Sequence, residues 1–159
     1  NQQWAKMLFA NPQRIDYYDR YQEIIDAYNA EQNRATIEKT FMDLMELASS
    51  LDTEQQRYVR EGFSSDEELS VYDLLFSENL TKQEIETIKK VSVDLLTKIK
   101  QQIAKLDHWT DKQETKAIVD NLIRNTLWQE LPNSYDVSDI QTYQKKIYEY
   151  VYMRYPEVA

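Results

Sequence analysis

Among its 159 residues the chain has no cysteine, one glycine, three prolines and one histidine, and each scarcity closes a class of chemistry. Without cysteine there is no disulfide framework, no thiol nucleophile and no thiolate zinc site, and the composition fits a reducing, cytoplasmic setting. A single glycine, Gly62, excludes the Walker A loop, whose backbone amides approach phosphates only where glycines clear the way, and also the Gly-x-Ser-x-Gly nucleophile elbow. His108 has no second imidazole with which to share a metal. Lys105 stands where a Glu-x-x-His pair would need its glutamate, so His108 reads as a structural or exposed side chain. No apolar run approaches the ~18 residues of a membrane span, and no signal peptide is recognisable. The chain opens on Asn1 within the helix-like NQQWAKMLFA rather than on methionine, which suggests a piece of a longer protein.

What is present is helical. Hydrophobic residues make up 42% of the chain, enough for a sizeable core, and scarce Gly and Pro leave little material for hairpin turns. The expected fold is all-α: a single compact domain, residues 1–159, of about seven or eight helices around a long central helix from Thr81 to Leu106. In chain order the periodicity predicts a short amphipathic turn or helix over Trp4 to Phe9, ended by Asn11-Pro12. A helix then runs from Arg14 to about Asn33, carrying Tyr17, Tyr21, Ile24, Ile25 and Tyr28 on one face. Another carries Ile37, Phe41, Leu44, Met45, Leu47 and Ala48 and closes near Ser49-Ser50. A short segment, Thr53 to Glu61, ends at Gly62, where only glycine readily takes the left-handed conformation of a helix stop. At the starts of apolar-periodic segments, five Ser or Thr residues stand three positions before Glu or Gln, the arrangement that satisfies two orphan amides at a helix start. These are Thr53/Gln56, Ser65/Glu68, Thr81/Glu84, Thr110/Gln113 and Ser138/Gln141. Pro132-Asn133-Ser134 precedes a last helix, Asp139 to about Arg154, and no internal linker is long enough to mark a second domain.

Charge is unevenly placed. The net charge is -9, and residues 1–80 carry 7 Lys/Arg against 16 Asp/Glu, whereas residues 81–128 carry 9 against 7. A local basic face still acts on a polyanion within a Debye length of ~8 Å at physiological salt. On a 3.6-residue wheel Lys82, Lys89 and Lys100 fall within about 20° of one another, and Lys90, Lys98 and Lys105 continue round the opposite flank. Lys112, Lys116 and Arg124 extend the basic set into the following helix. Point-charge lysines suit non-specific contact with the phosphates of double-stranded DNA, and they equally suit a solvated face steadied by pairs such as Asp94 with Lys98.

The last helix carries Tyr143, Tyr148, Tyr150, Tyr152, Arg154 and Tyr155, more aromatic surface than one helix face can bury. With Trp109 and Trp128 these are the candidate partner-docking residues, since Tyr, Trp and Arg anchor interfaces. Stacking of single-stranded bases is the other use of such rings, opposed here by Asp136, Asp139 and Glu149. The acidic pairs Asp16/Asp19, Glu23/Asp26 and Asp43/Glu46 could hold a hard cation such as Mg2+, the arrangement of helical nucleotide phosphohydrolases. Glu23 and Asp26 match only half of that pattern, and the residues themselves name no metal site and no catalytic group.

Three blocks carry a more specific signal: Glu61-Gly62-Phe63-Ser64-Ser65-Asp66-Glu67-Glu68-Leu69 running into Val71-Tyr72-Asp73-Leu74-Leu75, then Leu80 to Lys100, then Trp109 to Trp128. In order and spacing, over roughly residues 20–130, the chain resembles the C-terminal helical region of the motor/restriction subunit of type I restriction-modification enzymes. In many members an aspartate directly precedes the tryptophan and an arginine-rich helix follows it. Here His108 separates Asp107 from Trp109, and the following helix carries only Lys112, Lys116 and Arg124, which points to a particular subfamily. The resemblance implies a parent chain with a nuclease module and an ATP-driven, helicase-like motor, so ATP and Mg2+ belong to its other domains and no cofactor is expected in this one. It implies that the region docks the subunit onto the methyltransferase and specificity subunits. The expectation is a non-catalytic assembly and DNA-contact domain. The alternatives are a helical protein-interaction scaffold without DNA contact and a divalent-metal phosphohydrolase.

Overall fold

The computed structural model describes residues 2–157, and among them there are eight α-helices, two 3-10 turns and no strand. The helices are α1 (Gln2–Ala10), α2 (Ile15–Ala30), α3 (Arg34–Gln55), α4 (Arg57–Arg60), α5 (Asp66–Leu75), α6 (Lys82–Ala104), α7 (Gln113–Glu130) and α8 (Val137–Arg154). The 3-10 turns are Pro12–Arg14 and Trp109–Asp111. The all-α expectation holds. The chain gathers into two compact units, residues 1–70 and 71–159, with the division falling inside α5.

In the first unit α2 packs against α3. Trp4 and Met7 of α1, Ile24 of α2 and Leu47 of α3 form a buried cluster, with Tyr17, Tyr18, Tyr21, Leu44 and Leu51 packed against it. Trp4 meets Tyr18 edge-on at 5.5 Å and Tyr21 at 5.3 Å, arrangements that suit the ring quadrupoles. Asn11 ends α1 and caps the turn that follows, its side chain accepting from the Gln13 amide at 3.1 Å. Gly62 takes φ +87° after α4, and the Phe63 amide closes the stop by donating to the Tyr58 carbonyl at 2.9 Å.

In the second unit α7 packs against both α6 and α8. The longest helix, α6, has 23 residues and buries Ile88, Val91, Ser92, Leu95, Leu96, Ile99 and Ile103, which makes its aliphatic side the spine of this unit. Val119, Ile123, Thr126 and Leu127 of α7 and Ile140, Ile147, Tyr150 and Val151 of α8 are buried as well. Ser92 is tolerated there because its hydroxyl donates to the Ile88 carbonyl at 2.7 Å.

The start signals divide. Thr81 and Glu84 form the expected reciprocal box. Ser65 caps the Glu68 amide at 3.2 Å, but the Glu68 carboxylate turns to the Ser64 amide at 2.8 Å. The other three expectations are corrected. Thr53 lies inside α3, its hydroxyl donating to the Ser49 carbonyl at 3.1 Å. That helix runs through Ser49-Ser50 because Leu47, Leu51 and Glu54 continue its inward face, so the segment expected from Thr53 reduces to the four-residue α4. Thr110 sits within a 3-10 turn, entered through His108 at φ 48°, and α7 starts after Lys112 without a side-chain cap. At α8 the boxed pair is Asp136 with Asp139, because a carboxylate at a helix N-terminus also meets the helix dipole, and the helix starts ahead of Ser138.

Candidate nucleic-acid interface and docking surfaces

The basic candidates all lie in the second unit. Lys82 opens α6 and Lys90 lies along it, both exposed, with Lys105 at its C-terminal cap. Lys112 precedes α7, which carries Lys116 and exposed Arg124. These six make no ion pair among the described residues. The other three are engaged. Lys98 sits between Asp94 at 2.9 Å and Glu130 at 3.0 Å, which joins α6 to α7. Its ammonium is held in the charged form, its pKa raised by the hydrogen bonds to both carboxylates. Burial and the neighbouring Asp94 push the Glu130 carboxyl up, while hydrogen bonding to Glu130 and Lys98 draws Asp94 down. Lys89 stands 3.9 Å from Glu86 and 6.0 Å from the Tyr72 ring centroid, and Lys100 lies 5.4 Å from that of Tyr155. The nine cations are therefore not one uniform face, because compensated side chains interrupt it.

The aromatic candidates separate by burial. Trp109 is fully buried, its Nε1–H donating to the Tyr155 carbonyl at 2.7 Å, with Tyr148 and Tyr152 edge-on at 6.0 and 5.8 Å. Trp109, Tyr150 and Tyr155 thus sit in the core rather than on a docking surface, because the turn at His108 drives the indole inward beneath the end of α8. Tyr150 and Tyr155 meet edge-on at 6.2 Å, and the Arg154 guanidinium lies 6.0 and 5.9 Å from their centroids. Tyr143 and Tyr148 are half-buried. Burial, with Asp120 nearby, pushes the Tyr148 phenol up. Trp128 and Tyr152 keep substantial exposed surface. On α7 the exposed Ile118, Asn121, Arg124, Asn125 and Trp128 share one side, a run of which the sequence pattern singled out only Arg124 and Trp128.

The acidic pairs do not assemble a cation site. A cavity of about 280 Å³ in the first unit is lined by Asp16, Arg20, Asp43 and Glu46, but two cations already serve it. Asp43 takes Lys39 at 2.7 Å and Arg20 at 3.9 Å, and the Lys39 hydrogen bond holds its carboxyl below the usual range. Among the described residues no three His, Cys, Asp or Glu side chains are grouped to hold a metal ion. No helix among them is long and apolar enough to cross a membrane. His108 is exposed, 3.4 Å from Asp107 and 3.7 Å from Glu157.

One charged cluster has no counterpart in the sequence pattern. Arg14, nearly fully buried, donates to Glu54 at 3.2 Å and clasps Asp66 with two hydrogen bonds of 3.0 and 2.7 Å. Arg57 completes it, donating twice to Glu54 at 2.8 and 3.0 Å. The four residues tie the start of α2, the end of α3, α4 and the start of α5, and no local pattern signals them because Arg14 and Asp66 are far apart in sequence.

No curated protein and no solved structure matches the chain. A protein-family model described as "Type I restriction enzyme HindI endonuclease subunit-like, C-terminal" matches residues 3–155. The match runs through both units and takes in the blocks around Gly62, α6 and Trp109 that carried the resemblance, so the chain belongs to the family of C-terminal regions of type I restriction endonuclease subunits like that of HindI.

Proposed function

We propose that this region is a non-catalytic assembly and DNA-contact module of an ATP-dependent, DNA-translocating restriction subunit. It would hold that subunit on the methyltransferase and specificity subunits and present a lysine-bearing side to non-specific double-stranded DNA. The observation that carries the DNA half is the set of six cations on and around α6 and α7 with no carboxylate partner among the described residues, in a protein of net charge -9. Unpaired lysines beside a polyanion release its counterions, whereas paired ones have little further to gain. Exposed Trp128 beside Arg124 supports the docking half, as both residue types anchor interfaces.

The test uses the full-length subunit. Lys82→Glu, Lys90→Glu and Lys105→Glu together should weaken DNA binding and flatten the plot of log affinity against log salt by ~0.9 for each phosphate left without its lysine. Unchanged affinity and slope would leave the second reading, a scaffold without DNA contact, which the clamping of Lys98 by Asp94 and Glu130 favours. For docking, deletion of the region should abolish assembly with the methyltransferase and specificity subunits. Assembly at wild-type affinity would remove that half.

A further inference from the structure

Among the described residues, the first unit leaves one side of α3 without a partner. Leu44, Leu47 and Leu51 turn toward the cluster built with α1 and α2, but Ile37, Phe41, Met42 and Met45 remain 50%, 64%, 70% and 59% exposed. Ile37, Phe41 and Met45 repeat every four residues, and Met42 widens the strip, so the four side chains cover adjoining positions on about two and a half turns of helix. Contiguous apolar surface of this kind, on the order of a few hundred Å², marks an interaction site more often than accident. Two of the four are methionines, whose unbranched thioethers adapt to varied partner shapes.

Charge says what covers it. Residues 15–55, the hairpin of α2 and α3, carry 3 Lys/Arg against 10 Asp/Glu, so this element alone contributes a net charge of -7. All three cations are already engaged: Arg20 with Glu23 and Asp43, Arg34 with Glu38, Lys39 with Asp43. Glu46, one turn beyond Met42 on α3, Asp52, about two turns further along that helix, and Asp16, Asp19 and Asp26 on α2 are all exposed and form no ion pair among the described residues. Nucleic acid is repelled by such a surface, and an acidic partner likewise. A helix laid along α3 would complete a bundle with α2 and α3 in the ordinary ridges-into-grooves way. We propose that the strip Ile37, Phe41, Met42 and Met45 docks an amphipathic helix of a partner protein whose apolar stripe is flanked by lysine and arginine. The proposal rests on the reading of this region as an assembly module and gives that reading a partner chemistry.

The probe is a fluorescein-labelled amphipathic helical peptide of leucine and lysine, titrated into the 159-residue chain beside a leucine-glutamate peptide of equal length. The lysine peptide should bind and the glutamate peptide should bind at least tenfold more weakly. Phe41→Ser with Met45→Ser, both exposed and so compatible with an unchanged circular dichroism spectrum, should weaken the lysine peptide at least tenfold. Glu46→Lys with Asp52→Lys should weaken it and raise affinity for the glutamate peptide. Equal binding by wild type and Phe41→Ser/Met45→Ser, equal binding of both peptides, no binding, or concentration-dependent pairing of the chain through this strip in sedimentation would each overturn the proposal. In the full-length subunit the same pair of substitutions should impair assembly. If deletion of the whole region abolishes assembly while Phe41→Ser/Met45→Ser leaves it intact, only this inference falls. If the deletion leaves assembly intact, the assembly reading itself falls.

Discussion

Arg14→Ala removes the centre of the buried cluster in the first unit, and its cost follows from what each partner retains. Three charge-assisted hydrogen bonds disappear, one to Glu54 at 3.2 Å and two to Asp66 at 3.0 and 2.7 Å. Taking one member from a buried ion pair costs about 3–5 kcal/mol, mostly by stranding the other charge. Two features set the value at the lower end. Glu54 keeps both bonds from Arg57, and Asp66 is only partly covered, so water can replace the missing guanidinium. The expected loss is therefore about 3 kcal/mol at pH 7. Burial alone would push the Glu54 carboxyl up, but the hydrogen bonds from Arg57 and Arg14 outweigh it and hold the group below its ordinary value. A lowered native pKa contributes stability that is complete above the unfolded value, ~4.3, and is lost as pH falls through the native one. Urea unfolding followed by far-ultraviolet circular dichroism, at pH 7 and in steps down to about pH 3, should show wild type and variant converging in acid. A loss under about 1 kcal/mol at pH 7, or a gap that stays constant as the carboxylates protonate, would refute the reasoning.

Trp109→Phe should cost about 2–3 kcal/mol, because it leaves the Tyr155 carbonyl without its indole donor and opens space in the core, and an unchanged thermal midpoint would contradict this. Tyr135 donates to the Leu75 carbonyl at 2.6 Å, and burial pushes its phenol above the usual range. A raised native pKa means stability that is present below the unfolded value of ~10 and lost as pH rises beyond it. Tyr135→Phe should therefore cost about 1–2 kcal/mol at pH 7 and make the alkaline decline shallower, as read by denaturant melts between about pH 8 and 11. Thr81→Ala should cost about 1 kcal/mol, and Thr110→Ala under about 0.5, since only Thr81 caps a helix; equal losses would show that the caps are wrongly assigned.

The sequence by itself determined the fold class, the position of nearly every helix and the family. Those properties are written in near-neighbour information: apolar spacing of three and four residues, scarce glycine and proline, the Thr81/Glu84 box, the stop at Gly62, and ordered blocks around Gly62, α6 and Trp109. Helix ends were legible only where one cap stood alone. At α8, Asp136 competed with Ser138 and won, and at α3 the inward Leu47, Leu51 and Glu54 carried the helix past two serines. The two compact units left no trace of a linker because their division lies inside α5, where the chain stays helical.

Tertiary structure alone decided which residues of a recognised type are available. Trp109 and Trp128 look alike in sequence, yet one is buried on the Tyr155 carbonyl and the other is half exposed. Lys90 and Lys98 lie eight residues apart on α6, yet Glu130 of α7 neutralises only the second. Phe41 and Leu47 belong to one apolar pattern, but α1 and α2 cover only the side that carries Leu47. Periodicity tells which residues share a side of a helix, while burial, pairing and exposure depend on what a distant segment brings against that side, and that is fixed only when the helices pack.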